Sequence, residues 1–198
     1  MSDRKLSRLS GVFGLALVVL ALSQFPLYLA GNPSISIYDG AAYGQDLFRI
    51  QNVVFTRILL DLGVYVAGMV FAAGFCHLIR QAQPEYEWVG TLVFGAFVVW
   101  IAVTLVANGL EGAAVLDTLG GTSDPSAVRA LIEGTLLIYN GSIAFAITAL
   151  FLGAAGYATF ATGVLPGRIG WMAYVGTALC ALCVPAMYGR AVDVTGFY

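Results

Sequence analysis

The residues of this chain that could do chemistry are charged side chains set inside long apolar stretches. Asp61 follows Arg57 by four residues in one such stretch, and Tyr65 comes four residues later. Residues four apart share one face of a helix, so these side chains are expected to lie one turn apart on the same side. An arginine and an aspartate so placed can neutralise each other. The spacing therefore predicts either a structural ion pair or part of a functional site.

A second polar stripe lies in the next apolar stretch. Trp100, Thr104, Asn108 and Glu111 are separated by four, four and three residues, which again puts them on one helix face. A stripe of this polarity should face other helices rather than lipid.

A third stretch carries Glu133, Tyr139 and Asn140. An ionisable side chain near the centre of a spanning helix costs about 2.5–3.5 kcal/mol, so such residues are the best functional candidates. Carboxyl groups in apolar surroundings can act as general acids or bases near neutral pH. The candidate catalytic residues are Asp61, Glu111 and Glu133, and the candidate substrate-binding residues are Arg57, Tyr65, Trp100, Asn108, Tyr139 and Asn140.

The elements that would position these residues are membrane-spanning helices. The 198 residues are 60% hydrophobic and only 10% charged, whereas soluble domains carry about 25% charged residues. About 20 apolar residues cross a hydrocarbon core some 30 Å thick. The sequence predicts a single all-α transmembrane domain, a bundle of about five helices over residues 11–30, 52–79, 88–110, 127–162 and 169–188.

Basic residues predict the orientation, because they accumulate on the cytoplasmic side. The N-terminal side of this topology carries five of them, and the opposite side carries three. We therefore expect a cell-membrane protein with a cytoplasmic N-terminus and an external C-terminus. The five are Arg4, Lys5, Arg8, Arg80 and Arg168, and the three are Arg49, Arg129 and Arg190.

In this topology the three polar stripes converge in the outer third of the bundle. The charged ends of the second, third and fourth helices all lie on the external side. The fourth stretch is longer than any bilayer core, so its first turns are expected to project beyond the membrane. The external segment 31–50 is expected to form a loop or an interfacial helix. The hypothesis of a shared pocket requires Asp61, Glu111 and Glu133 to face one another rather than solvent.

Several functional classes are excluded by residue types. The net charge is −2 without a basic tract, which argues against nucleic-acid binding. The single histidine, His77, excludes a histidine-rich metal site or bis-histidine haem ligation within one chain. The three cysteines, Cys76, Cys180 and Cys183, lie in apolar stretches and are interpreted as packing residues. No cofactor and no bound metal are expected.

Two segments resemble an uncharacterised bacterial family of multi-pass membrane proteins, classed as a domain of unknown function. The segment 108–117, Asn-Gly-Leu-Glu-Gly-Ala-Ala-Val-Leu-Asp, is similar to an Arg-x-x-Glu-Ala element of that family. The segment 163–171, Gly-Val-Leu-Pro-Gly-Arg-Ile-Gly-Trp, resembles its turn before the last helix. The resemblance implies a multi-pass membrane fold and singles out Glu111, and it implies no activity.

Three functions fit these patterns. The first is an intramembrane isomerase, cyclase or hydrolase of an isoprenoid- or lipid-like substrate, with acid–base groups beside aromatic residues such as Phe94, Phe97 and Phe145. The second is a non-catalytic small subunit or scaffold of a membrane complex. The third is a small proton-coupled carrier. The expected partners are membrane lipids, a lipophilic small molecule, and a complex or oligomer partner.

Overall fold

The prediction of an all-α membrane bundle is confirmed by a computed structural model, which describes residues 3–31, 33, 35–119, 124–139 and 141–188. Within these ranges the secondary structure is helical, and five stretches are long and apolar enough to cross a membrane. The α-helices are α1 Asp3–Ala30, α2 Gly40–Arg49, α3 Gln51–Ala82, α4 Glu87–Leu119, α5 Pro125–Tyr139, α6 Ser142–Thr162 and α7 Gly167–Tyr188, and a 3-10 turn covers Pro84–Tyr86.

The long helices follow one another in space as they do in sequence. Helix α1 packs mainly on α3, α3 on α4, α4 on α6, and α6 on α7. Small residues permit the close approaches, because lipid supplies no hydrophobic drive for helices to associate. A Cβ atom at Gly74 of α3, for example, would lie 2.5 Å from the hydroxyl oxygen of Ser10 in α1. The central helices α3 and α4 are therefore the best buried, while α1 and α7 form the edges.

The fourth predicted stretch is not one helix over 127–162. It divides into α5 and α6, and the described residue between them, Gly141, is extended (φ −85°, ψ 170°). A Cβ atom at this buried glycine would collide with the carbonyl oxygen of Leu137. The break ends α5 at Tyr139 and lets its side chain turn toward α3 and α4.

One end of the bundle carries a helical cap, which we define as α2, the last two turns of α4 (residues 112–119) and α5. With 32 and 33 residues, α3 and α4 are each about 50 Å long, well above the 30 Å of a hydrocarbon core. Within the segment 31–50, residues Gly40–Arg49 form the short helix α2. Its Tyr43 and Leu47 join a core with Val115, Val128 and Ile132. We call the opposite end, with the 3-10 turn, the turn end.

Candidate functional site

The polar stripes of α3 and α4 meet in three layers beneath the cap. The two helices are antiparallel, and each layer pairs one polar residue of α3 with one of α4. Arg57 contacts Glu111 in the layer nearest the cap, and Asp61 contacts Asn108 one turn below. In the third layer, Tyr65 also contacts Asn108. The sequence periodicity therefore predicted the correct face of both helices.

The first layer is an ion pair between different helices. The Arg57 guanidinium donates to the Glu111 carboxylate, and both side chains are at least 90% buried. The guanidinium carbon of Arg57 also lies 4.5 Å from the ring centre of Tyr28 in α1, a cation–π distance. Buried charges need a partner of opposite sign, and Glu111 is that partner. The interpretation of Arg57 and Asp61 as an ion pair along one helix was wrong.

The second layer is built around Asp61, which is 8% exposed. Its Oδ2 atom accepts hydrogen bonds from the Asn108 amide at 3.1 Å and from the Tyr139 hydroxyl at 3.3 Å. Among the residues that the structure describes, no cationic side chain forms an ion pair with this carboxyl group. Asp61 is thus a buried acid whose described partners are neutral.

Asn108 connects the layers. Its amide nitrogen donates to Asp61 and, at 2.9 Å, to the Tyr65 hydroxyl, which uses both of its protons. Its side-chain oxygen accepts a short hydrogen bond from Tyr139. Replacing this one residue would remove a hydrogen-bond partner from three polar groups, namely Asp61, Tyr65 and Tyr139.

The Tyr139 hydroxyl allows alternative arrangements of protons. It lies within hydrogen-bond distance of Asp61, Asn108 and, at 3.4 Å, the Thr104 carbonyl oxygen, but it has a single proton to donate. If the proton goes to Asp61, the carboxyl group is an ionised acceptor. If it goes to Asn108, a protonated Asp61 can donate to the Tyr139 oxygen. The Tyr139 hydroxyl is therefore placed either to donate a proton to Asp61 or to accept one from it.

Aromatic rings close the network on the side toward the turn end. Tyr65 meets Trp100 edge to face, with 5.8 Å between ring centres, and Trp100 stacks on Phe97 at 5.5 Å. Thr104 lies one turn after Trp100 on α4, and its hydroxyl donates to the Trp100 carbonyl oxygen at 2.8 Å. The polar layers thus end on an apolar floor.

Glu133 does not join the network. Its side chain is 47% exposed on the cap and forms an ion pair with Arg129, one turn earlier in α5, at 2.8 Å. The convergence expected for three carboxylates is therefore limited to Asp61 and Glu111. Asn140, another candidate, lies outside the described residues.

Gln24, a buried side chain of α1 that is 4% exposed, was not among the predicted site residues. The sequence carried a signal for it, because Gln24 is the only amide in the apolar stretch 11–30.

The described residues contain no cluster of three or more histidine, cysteine, aspartate or glutamate side chains that could hold a metal ion. An apolar groove of about 620 Å³ lies on the other side of α4, between α4 and α6. It is not lined by the expected Phe94, Phe97 and Phe145. Its lining residues are Trp88, Thr91, Leu92, Gly95, Ala96, Val99, Ile147 and Leu150.

Comparisons with known proteins add no family to this description: no protein-family model, no curated protein and no solved structure matches the chain. The resemblance of segments 108–117 and 163–171 to an uncharacterised family stays a prediction. Two residues of the first segment, Asn108 and Glu111, belong to the polar network.

Proposed function

We propose that this protein is an intramembrane acid–base enzyme acting on a lipophilic small molecule, with Asp61 as the group that exchanges a proton with the substrate. The single observation that carries the proposal is the setting of Asp61, which is buried, has no described ion-pair partner, and contacts the Tyr139 hydroxyl. A carboxyl group in a spanning segment is a functional candidate by default, because its insertion is costly.

The depth of the network favours an amphiphilic substrate. Trp88 and Tyr157 pack together at the turn end, where aromatic residues typically mark a membrane interface. From Trp88, about 20 residues at 1.5 Å each lead along α4 to Asn108, the length of one hydrocarbon crossing. On this placement the network lies near the second interface, beneath the cap. A lipid whose polar end lies at that interface could bring this polar end close to Asp61.

The roles of the remaining residues follow from their contacts. Arg57 and Glu111 neutralise each other and hold α3 against α4, so we assign both to positioning. Asn108 and Tyr139 orient the Asp61 carboxyl group and provide the alternative proton arrangement. Of the three candidate carboxylates, Asp61, Glu111 and Glu133, we propose only Asp61 as the acid–base residue.

Infrared difference spectroscopy tests this assignment directly. The purified protein is reconstituted in liposomes, and spectra are compared across a pH titration in light and heavy water. We expect a carboxyl C=O band that appears on acidification and is absent in Asp61→Asn. The control Glu133→Gln removes an exposed carboxylate and should retain that band. If Asp61→Asn shows the same band as the parent protein, Asp61 is not a proton-exchanging group.

A second experiment tests catalysis. Lipid extracts from cells that express the parent protein, Asp61→Asn or Glu133→Gln are compared by mass spectrometry. We expect at least one lipid to change in amount with the parent protein and Glu133→Gln but not with Asp61→Asn. Identical extracts from all three would contradict an enzymatic role. Movement of a pH-sensitive dye in proteoliposomes, dependent on Asp61, would instead indicate a proton-coupled carrier.

The arrangement of the helices favours one further candidate, a non-catalytic subunit of a membrane complex. Helix α7 packs on α6 and leaves a wide apolar surface, including Met172, Leu179 and Leu182, at the edge of the bundle. Purification in mild detergent separates the candidates. A larger complex that forms equally well with Asp61→Asn would favour the subunit role.

We also propose that the protein lies in the cell membrane with its N-terminus in the cytoplasm. The antiparallel packing of α1 on α3 brings the start of α1 to the turn end, together with Arg80. The basic residues at that end outnumber those at the cap end, which agrees with the usual bias. The cap is then external.

A further inference from the structure

The last third of α1 contains a buried amide that has no hydrogen-bond partner among the described residues. Gln24 is 4% exposed, and its side chain makes no hydrogen bond with any residue in the described part of the chain. Buried polar side chains nearly always have a partner, and at membrane depth water rarely substitutes for one. The amide of Gln24 is therefore available to a bound molecule.

The register between α1 and α3 places Gln24 beside the polar network. One turn before it, Leu20 lies against Gly63, where a Cβ atom would be 3.3 Å from its Cδ1 atom. One turn after it, the Tyr28 ring lies 4.5 Å from the guanidinium carbon of Arg57. Gln24 is halfway between these contacts on the same face of α1. On α3, Asp61 lies within the segment between Arg57 and Gly63, which places the proposed acid–base residue at about the level of Gln24 along the helix axis.

The surroundings of Gln24 along the seam between α1 and α3 are apolar toward the turn end. Leu17 and Leu20 line the seam there, and both contact glycine positions of α3. The polar level at Gln24 thus adjoins an apolar stretch of the seam at Leu17 and Leu20. This pattern suits a ligand with one oxygen function on an apolar chain.

We propose that Gln24 binds the hydroxyl or carbonyl oxygen of the lipophile on which Asp61 acts. The inference rests on the proposed function and specifies its substrate class as oxygenated lipophiles rather than plain hydrocarbons. The amide of Gln24 donates to the ligand oxygen, while Asp61 stands at the same level to give or take a proton. A donor aimed at an oxygen also stabilises negative charge that develops there.

Two probes of equal chain length test this specificity, namely decanol and decane. The parent protein and its variants are reconstituted in lipid nanodiscs, and the unfolding temperature is followed as each probe is added. The informative variant is Gln24→Met, which keeps the shape of the side chain and removes its amide. The matched control is Ser10→Ala, because Ser10 is a buried polar residue of the same seam near the turn end.

We expect decanol, and not decane, to raise the unfolding temperature of the parent protein saturably. Gln24→Met should need a roughly fivefold higher decanol concentration to reach half of the maximal rise in unfolding temperature. This is the loss of affinity expected when one neutral hydrogen bond is removed. Ser10→Ala should respond as the parent protein does. Without ligand, Gln24→Met should be as stable as the parent protein or more stable, because it removes a buried amide that has no partner among the described residues.

Equal responses to decanol and decane, or an unchanged response in Gln24→Met, would overturn this inference. Such a result leaves the proposed function intact if the carboxyl band of Asp61 persists in Gln24→Met. If the carboxyl band is instead unchanged in Asp61→Asn, the proposed function is overturned, whatever the response to decanol and decane.

Discussion

Arg57 pairs with Glu111 across the interface of α3 and α4, and it does not pair with Asp61 one turn along its own helix. This choice of partner separates the two carboxylates by role. Glu111 becomes the counter-ion of a buried arginine, and Asp61 is held by an amide and a hydroxyl group. Because Arg57 forms its ion pair with Glu111, Asp61 is the carboxylate that is left as the candidate acid–base residue.

The ion pair predicts a strongly non-additive double-mutant cycle. Arg57→Leu or Glu111→Leu alone should lower the free energy of unfolding by about 3–5 kcal/mol, because each leaves a buried charge unpaired. The double variant should cost much less than the sum. Unfolding with sodium dodecyl sulfate in mixed micelles measures these values. The exposed pair provides the control, since Arg129→Leu should change the free energy of unfolding very little. Additive losses at Arg57 and Glu111 would contradict the buried pair.

The central position of Asn108 predicts that it is the most sensitive neutral residue of the network. Asn108→Leu should lower the free energy of unfolding by at least about 2 kcal/mol, because Asp61, Tyr65 and Tyr139 each lose a partner. Tyr139→Phe removes one hydroxyl group and should cost about 1 kcal/mol. Tyr157→Phe, a half-exposed tyrosine at the turn end, is the matched control and should be nearly neutral. A larger loss at Tyr157 than at Asn108 would refute this ranking.

Two glycines in the central helices should respond oppositely to the same change. A Cβ atom at Gly68 would collide with the Phe97 ring and lie 2.8 Å from Leu17, so Gly68→Ala should destabilise by about 1–3 kcal/mol. Gly95 has no atom within 4 Å of that position, and Gly95→Ala should stabilise by about 0.5–1 kcal/mol. The same micelle titration measures both. Combining Gly68→Ala with Phe97→Leu should recover part of the loss, and an absence of recovery would place the strain elsewhere.

The proposed orientation predicts which cysteines react from outside the cell. After the three native cysteines are replaced, single cysteines are introduced at Ala41 or Ala130 of the cap, both exposed, and at Gln83 of the turn end. A membrane-impermeant maleimide should label the cap positions in intact cells and Gln83 only in permeabilised cells. The reverse pattern would invert the topology and leave the fold unchanged.

The fold class and the inward-facing sides of α3 and α4 could be predicted from the amino-acid sequence alone. Five apolar stretches of spanning length permit only helices in lipid, because every backbone group there must be paired within the chain. The spacing of Arg57, Asp61 and Tyr65 on α3, and of Asn108 and Glu111 on α4, determined which side chains share a face.

The contacts between side chains of different helices could be read only from the folded structure. Periodicity orients a side chain on its own helix but says nothing of the rotation and register of the neighbouring helix, which depend on close packing at residues such as Gly68 and Gly74. The packing of neighbouring helices therefore explains why Arg57 pairs with Glu111 and not with Asp61, and why Gln24 lies at the level of the network. The break at Gly141 likewise turned Tyr139 inward, while Glu133, two turns earlier, stayed exposed on the cap.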